Sequence, residues 1–218
     1  MEISSDARHA SSPDGRMPVG QVQHLPLADG PPTHGAFAPH PRDQGIAVAH
    51  WLLCAAADRR RARVEWAESG VTLLACGVRF AAVRIGRELI EAAAGTGDQE
   101  AIDACLRDAL RGGPVIADHH CRQFYALVPA RAAHRWEERD AACLGTGSHL
   151  GVPRPDRVRS TAGCSYWPVP MEVPGRLCRP RAVKQLIDVG RRQLALGQQE
   201  SRQPGDPALA RVSPEATQ

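Results

Sequence analysis

The sequence predicts one α+β domain with a mixed or mostly antiparallel sheet, flanking helices and two disordered tails. Apolar patterns occur in the order helix, strands, helices, strands, helix, which differs from the regular alternation of a doubly wound sheet. Two terminal segments rich in proline, glycine and polar residues bracket these patterns. The hydrophobic fraction of 43% and the charged fraction of 23% are ordinary for a globular protein, so the middle of the chain can form a core.

The tails are expected at residues 1–43 and 197–218, and the folded domain at residues 44–196. The first segment contains prolines at short intervals, and the last ends in clusters of Gln, Ser, Pro, Gly and Asp. Such segments bury too little apolar surface to offset the conformational entropy that folding removes. We therefore expect residues 44–196 to fold without the tails.

The first half of the domain is expected to contain two helices, a β-hairpin and two more helices. Gly70 suits the end of the second helix, and Asp98 suits the N-cap of the fourth, where its carboxylate accepts from free amides. The connection Cys76–Arg79 has a length that favours a hairpin between the two strand-like runs. The expected elements are helices from Gln44 and over Arg59–Glu68, strands Val71–Ala75 and Phe80–Ile85, and helices over 86–94 and 99–110.

The second half is expected to be rich in strands and to end in one long helix. Its first two strands should pair across Asp118–Arg122. Pro180 suits the first turn of the last helix, where its missing amide costs nothing. The aromatic residues around Tyr166 are more typical of core packing than of a platform for stacked bases. The expected elements are strands Pro114–Ala117, Gln123–Val128, Ala142–Leu144, Leu150–Val152 and Tyr166–Val169, and the helix Pro180–Leu196.

The charge of the chain permits a polyanionic partner without requiring one. The formal net charge is +3 and the pI about 8.6, below the value of ~9 that domains binding nucleic acid through their overall field usually exceed. The seven cysteines form no Cys-x-x-Cys pair and the N-terminus has no apolar leader, which indicates reduced thiols in the cytoplasm. No apolar run approaches the ~18 residues of a membrane span, so no membrane association is expected.

A glycine-rich segment is the leading candidate for a ligand site. Its two glycines let backbone amides approach an anion, and its three other side chains add hydrogen-bond donors. It lacks the Lys-Ser/Thr pair of a Walker loop. The structural alternative is a tight turn between two strands, which glycine-rich sequences often form. The candidate residues are Gly145, Thr146, Gly147, Ser148 and His149.

The run Asp118–Cys121 is a second candidate, because Asp, His and Cys are ligands for zinc and other transition metals. Adjacent residues of a strand point to opposite faces, so these side chains converge only if the chain turns. The structural alternative is a polar hairpin tip. The candidate ligands are His119, His120 and Cys121, with Cys143 or His149 needed to complete a site.

Two further patterns are more typical of surface features than of sites. The arginines of Arg59–Arg63 stand beside Trp66 and could contact phosphates, although a solvated helix face is the more common outcome. Cys121 with His119 or His134 could supply a nucleophile and a base, but nothing in the sequence fixes their geometry.

Three segments carry a resemblance to a known family. They are Leu74–Phe80 with the strand after it, Gly113–Pro129, and Cys143–Pro153 with its Gly-Thr-Gly-Ser-His loop. Through them the chain resembles, over residues 45–190, small actinobacterial proteins similar to the N-terminal domain of bifunctional DNA primase/polymerases (prim-pols). The resemblance implies an α+β fold and a nucleotide or DNA-replication context.

The resemblance also implies which residues should carry chemistry. Prim-pols resemble one another in having acidic residues on one strand and, on a nearby strand, a histidine that contacts phosphates; His149 matches that histidine. A divalent metal is implied by the resemblance alone, because nucleotidyl transfer uses two metal ions held by carboxylate oxygens. The strand Phe80–Ile85 contains no carboxylate, and Ala81 stands where the resemblance leads us to expect Asp.

The expected function is that of a non-catalytic, prim-pol-like domain that binds a nucleotide or nucleic acid weakly, with no catalytic residue and no cofactor. The alternatives are a structural or protein-interaction module and a metal-dependent enzyme centred on His119, His120 and Cys121. An arginine face beside the glycine loop would favour nucleic acid. An exposed apolar patch of several hundred Å2 would favour a protein partner, and a pocket of converging titratable groups would favour an enzyme.

Overall fold

The computed structural model describes residues 41–160 and 164–202. The chain forms five α-helices, seven β-strands and one short 3-10 helix in these ranges. The helices are α1 (Pro41–Leu53), α2 (Arg59–Glu68), α3 (Arg87–Ala94), α4 (Gln99–Ala109) and α5 (Pro180–Arg202), and the 3-10 helix is Ala130–Arg135. The strands are β1 (Val71–Ala75), β2 (Phe80–Gly86), β3 (Val115–Asp118), β4 (Gln123–Pro129), β5 (Ala141–Leu144), β6 (His149–Pro153) and β7 (Tyr166–Val169).

The strands form two antiparallel sheets. Five strands pair in the order β5-β2-β4-β3-β7, and β1 pairs with β6 in a separate two-stranded sheet. The predicted α+β class is therefore confirmed. The expected pairing of β3 with β4 across Asp118–Arg122 is also confirmed, with Val115 opposite Ala126 and Asp118 opposite Gln123.

The expected hairpin between β1 and β2 is wrong. Strand β2 pairs instead with β4 on one side and β5 on the other. Its consecutive residues Ala81, Ala82 and Val83 are all fully buried, which is the pattern of a central strand covered on both faces. Strand β1 alternates between buried and exposed residues and joins the smaller sheet. The short connection between β1 and β2 favours a hairpin in the sequence, but β2 is buried on both faces and therefore takes the central position between β4 and β5.

Two apolar clusters cover the faces of the larger sheet. Ala81 belongs to the cluster that includes residues of α3, α4 and α5, and Ala82 belongs to the one that includes residues of α1, α2 and the smaller sheet, as the alternation of side chains along a strand requires. Tyr166 and Trp167 on β7 are at most 1% exposed, one in each cluster. These aromatic residues are therefore core residues, as expected.

The helix boundaries agree with the sequence to within one residue except at the start of α1 and at the end of α5. Asp98 caps α4 by accepting from the Ala101 amide at 2.9 Å, and α5 begins at Pro180. Helix α5 continues past Leu196 to Arg202, into the segment predicted as a tail. Gly197 disfavours the helix by only ~1 kcal/mol, and the Gln and Glu residues after it are good helix formers. Helix α1 likewise begins at Pro41, within the predicted tail 1–43, because Pro41 suits the first turn of a helix. The predicted tail residues 1–40 and 203–218 lie outside the described residues.

Within residues 41–160 and 164–202, none of the helices combines the length and the apolar character needed to cross a membrane.

Candidate functional site

The glycine loop is a tight turn that joins β5 to β6. The carbonyl of Gly145 accepts from the Ser148 amide at 3.0 Å, and Gly147 has φ +87°, which matches the third position of a type II turn. The Ser148 carbonyl accepts from the Cys76 amide at 2.9 Å. The backbone of Ser148 is therefore held within the fold, while Thr146 and Gly147 are exposed.

His149 lies just after this turn and faces an open cleft of about 300 Å3. The cleft is also lined by Asp58, Arg61 and Glu65 from the start of α2. Arg61 donates to Glu65 at 3.0 Å. Hydrogen bonds from Thr72 and Arg61 lower the pKa of Glu65, so this carboxylate stays ionised. Two carboxylates against one arginine make the cleft a poor electrostatic match for a phosphate.

The run Asp118–Cys121 forms the β3–β4 turn. One carboxylate oxygen of Asp118 accepts from the amides of His120 and Cys121 at 3.0 and 3.1 Å. The ring of His119 stacks on Tyr166, with centroids 5.2 Å apart, and its Nε2 lies 2.8 Å from the hydroxyl of Ser160. The His119 side chain therefore packs against β7, while the side chains of His120 and Cys121 are exposed.

The candidate ligands of this turn are not brought together with the residues needed to complete a metal site. In the described part of the chain, no three His, Cys, Asp or Glu side chains are grouped so as to hold a metal ion. Cys143 and His149, which would have to complete the site, lie on β5 and on the other sheet. The pKa of the Cys121 thiol is raised by its hydrogen bond with Asp118, so it is also a poor nucleophile.

The strands offer no metal-binding pair of carboxylates. Among the seven described strands Asp118 is the only acidic residue, and it caps its own turn. Arg59–Arg63 lies on the exposed surface of α2 apart from Ala62, and Trp66 is buried with its indole N–H donating to the Val152 carbonyl at 2.9 Å. Trp66 therefore cannot stack on a base beside those arginines.

A different region gathers positive charge, at the N-terminus of α5. A groove of about 550 Å3 has arginines on its rim and Leu110, Leu177 and Ala182 on its apolar walls. None of its lining residues is acidic. We call this cavity the arginine groove; its basic residues are Arg111, Arg176, Arg179 and Arg181, and Gly113 and Gln185 complete the lining.

The residues that follow α4 form one side of the arginine groove. After the C-cap Leu110, Arg111 and Gly112 have φ of +52° and +70°, which reverses the chain. The left-handed conformation costs a non-glycine residue about 1–2 kcal/mol, and here it is adopted by an arginine. The Arg111 carbonyl accepts from the Arg176 guanidinium at 3.5 Å, which joins the two sides of the rim.

Cys178 fixes the other side of the groove. Its amide donates to the Leu127 carbonyl at 2.8 Å, and its thiol donates to the Pro114 carbonyl at 3.4 Å. Burial raises the pKa of this thiol to about 12, so it stays protonated and able to donate. A Cβ on Gly113 would lie 2.7 Å from the Cys178 sulfur, so only glycine permits this approach. The connection that carries Arg176 and Arg179 is thereby held against the sheet.

The charges of the groove are largely uncompensated. Arg176 lies 4.0 Å from Glu172; among the described residues, Arg111, Arg179 and Arg181 form no ion pair. The first turn of α5 contains no acidic residue. Because the N-terminus of a helix carries partial positive charge, each arginine there costs about 0.3–1 kcal/mol. A bound anion would offset that cost.

A second basic cavity is lined by other residues at the start of α5, Pro180 and Lys184. It has a volume of about 440 Å3 and a tryptophan wall. A Cβ on Gly145 would lie 2.7 Å from the Ala133 Cβ, so the glycine loop packs against the 3-10 helix that lines this cavity. We call it the tryptophan pocket; it is lined by Pro129, Arg131, Ala132, His134, Arg135, Trp136, Pro180 and Lys184.

Sequence reasoning missed both cavities, although the sequence contains one signal for them. Helices usually begin with acidic residues in their first turn, and α5 begins with arginines on either side of Pro180. Helix α2 has the same reversal, but there Asp58 directly precedes the arginines, whereas Cys178 precedes Arg179 at α5.

Comparison with known proteins gives this chain no relative. No protein-family model, curated protein or solved structure matches it.

Proposed function

We propose that this domain binds nucleotides or nucleic acid through their phosphate groups and performs no chemistry on them. The observation that carries the proposal is the arginine groove, with four arginines and no carboxylate in its lining. Guanidinium groups match phosphate oxygens in a two-pronged geometry, and the start of α5 adds the partial positive charge of a helix N-terminus. A volume of about 550 Å3 accommodates a nucleotide-sized group.

The binding role is proposed without catalysis because the described strands lack a pair of metal-binding carboxylates. Two-metal phosphoryl transfer needs carboxylates that bridge the ions, and Asp118, the one acidic residue of those seven strands, caps a turn. This agrees with the absence of a carboxylate from the strand that the prim-pol resemblance singles out. In our proposal phosphate contacts belong to the arginine groove, and His149 is not their centre.

The alternative role as a protein-interaction module has weaker support. The large exposed apolar residues include Ile46 on α1, Val64 on α2 and Leu73 on β1, and these line neither of the two basic cavities. Their chemistry does not identify a partner, whereas guanidinium groups in a groove are suited to phosphate.

A matched pair of double variants tests the proposal. Arg179→Ala with Arg181→Ala removes two groove charges, and Arg59→Ala with Arg60→Ala removes two exposed charges from α2. Fluorescence anisotropy with a labelled dT12 oligonucleotide, and competition by ATP, measure binding at low and moderate salt. We expect the groove variant to lose at least tenfold in affinity and to show a shallower salt dependence, because ~0.7 of a counterion is released per contacted phosphate of a single strand.

The controls separate a site from a general charge effect. Equal losses in the two variants would mean that dT12 senses only the net charge and would contradict the groove assignment. Absence of binding by the unaltered protein to both dT12 and ATP would contradict the proposed function. Competition by ATP at comparable phosphate concentration would show that a free nucleotide suffices, and its failure to compete would restrict the ligand to a polymer.

A further inference from the structure

The tryptophan pocket differs from the arginine groove in its walls. Its walls include the rings of Pro129, Trp136 and Pro180 and the methyl group of Ala132. Its basic side chains come from the 3-10 helix and from Lys184 on α5. A cavity with apolar ring walls and basic side chains in its lining fits an aromatic group that carries phosphate beside it.

The indole ring of Trp136 is held in a fixed orientation. Its N–H donates to the Ala141 carbonyl at 2.6 Å, and the Lys184 ammonium lies 5.3 Å from the ring centroid. Lys184 is itself held by Glu138 at 3.2 Å. Trp136 is only half-buried and borders the cavity, and the ring face under the Lys184 ammonium becomes available to a stacked base when that ammonium moves aside. A preorganised aromatic surface loses little conformational freedom when a planar ligand stacks on it.

The two cavities are neighbours along the chain. Pro180 lines the tryptophan pocket, and Arg179 and Arg181 line the arginine groove. Arg179, Pro180 and Arg181 are consecutive, with Cα atoms ~3.8 Å apart, so the linings of the two cavities adjoin at Pro180. Because the linings adjoin, one ligand with a planar group and attached phosphates can contact both cavities.

We infer that the tryptophan pocket receives an unpaired nucleobase and that the ligand is single-stranded nucleic acid. The inference rests on the proposed function, since the arginine groove supplies the phosphate contacts. Stacking of bases on aromatic side chains is the general device of proteins that bind single strands. A base within a duplex is stacked and paired, and entering the pocket would require its extrusion from the helix. The pocket thus selects against duplexes.

Three probes of equal phosphate number test the inference on the full chain. They are dT12, a 12-mer of abasic sites, and a hairpin duplex of 12 nucleotides. We expect dT12 to bind at least tenfold more tightly than the abasic strand and the hairpin, and to quench tryptophan fluorescence. Trp136→Leu should bring the affinity for dT12 down to that for the abasic strand and leave abasic binding unchanged.

The outcomes separate this inference from the proposed function. Equal binding of dT12 and the abasic strand, without quenching, overturns the base pocket and leaves phosphate binding in place. Failure of all three probes to bind overturns both. If Trp136→Leu does not fold, photo-crosslinking of the unaltered protein to a 12-mer containing 5-iodouracil decides the matter. An adduct on Trp136 supports the pocket, and adducts found only on other residues overturn it.

Discussion

The N-termini of α2 and α5 both carry clustered arginines, yet they differ in what their charges do. At α2, the Asp58 carboxylate accepts from the amides of Arg60 and Arg61 at 2.8 and 3.1 Å, and Glu65 holds the Arg61 side chain. At α5, the first turn has no carboxylate, and the helix starts between Arg179 and Arg181. The end of α2 is capped by the Asp58 carboxylate and one of its four arginines is paired, whereas the first turn of α5 has no carboxylate.

This difference shows that the number of arginines in a segment says little about binding. The run Arg59–Arg63 is the denser cluster of arginines in the sequence. However, Asp58 caps the N-terminus of that helix, and Glu65 forms an ion pair with one of the arginines. The arginine groove assembles its charges from separate segments, and the acid that approaches it is Glu172, at 4.0 Å from Arg176. Compensation by neighbouring groups, more than composition, decides which region can take a phosphate.

Charge reversal should separate the two helix ends most sharply. Arg179→Glu with Arg181→Glu is expected to weaken dT12 binding at least 100-fold, because two charge-assisted hydrogen bonds at about 1.5 kcal/mol each are lost. Arg59→Glu with Arg60→Glu should change affinity less than threefold. Anisotropy titrations measure both. Similar losses from the two reversals would abolish the distinction between the helix ends.

Removing the cap of α2 should cost stability without affecting binding. Asp58→Ala is expected to lower the free energy of unfolding by about 1 kcal/mol, because the amides of Arg60 and Arg61 lose their acceptor. Asp156→Ala, which breaks an exposed ion pair with Arg154, is the control and should change stability little. Urea denaturation followed by circular dichroism measures both. No loss in Asp58→Ala would show that α2 is not stabilised by its cap.

At the N-terminus of α5, we expect a substitution to raise the free energy of unfolding instead of lowering it. Arg181→Glu should raise the free energy of unfolding by about 0.3–1 kcal/mol in phosphate-free buffer, since an acidic residue then complements the helix N-terminus. The same variant should bind dT12 less tightly. Urea denaturation and anisotropy measure the two effects. A variant that is both less stable and unchanged in binding would mean that Arg181 has a structural role and no contact with the ligand.

The strained arginine of the groove provides the smallest and most selective test. Arg111 and Arg122 both have φ +52°, so replacement of either by glycine should relieve strain and raise stability by about 0.5–1 kcal/mol. Only Arg111→Gly should weaken dT12 binding, by a few fold, because Arg122 lies in the β3–β4 turn. Denaturation and anisotropy of both variants give the comparison. Equal affinities would remove Arg111 from the binding surface.

The elements that depend on local sequence patterns are predictable, whereas strand pairing that depends on contacts between distant residues is not. The cap at Asp98 and the start of α5 at Pro180 follow from the chemistry of single residues. The pairing of β1 with β6 cannot be predicted from spacing, since it depends on β2 being buried on both faces in the finished core. The sequence pattern places the end of α5 too early because Gly197 weakens a helix without ending it.

The candidate site is harder to predict because the groove joins parts of the chain that are far apart. Arg111 follows α4, while Arg176 and Arg179 belong to the segment before α5. They meet because Gly113 lets Cys178 approach and Cys178 hydrogen-bonds to Leu127 and Pro114. No sequence motif predicts these contacts. The glycine loop has a recognisable motif, and the sequence alone therefore favours this loop over the arginine groove as the ligand site.

The central claim is that phosphate binds at α5 and not beside His149. Titration of the uniformly 15N-labelled protein with dT12, followed by amide chemical shifts, tests it directly. We expect the largest changes at Arg111–Gly113 and across Arg176–Gln185, with further changes at Arg131–Trp136 where the base stacks, and little change at Asp58–Arg61 and His149. Changes centred on Gly145–His149, with the amides of Arg176–Gln185 unmoved, would contradict the claim and return the site to the glycine loop.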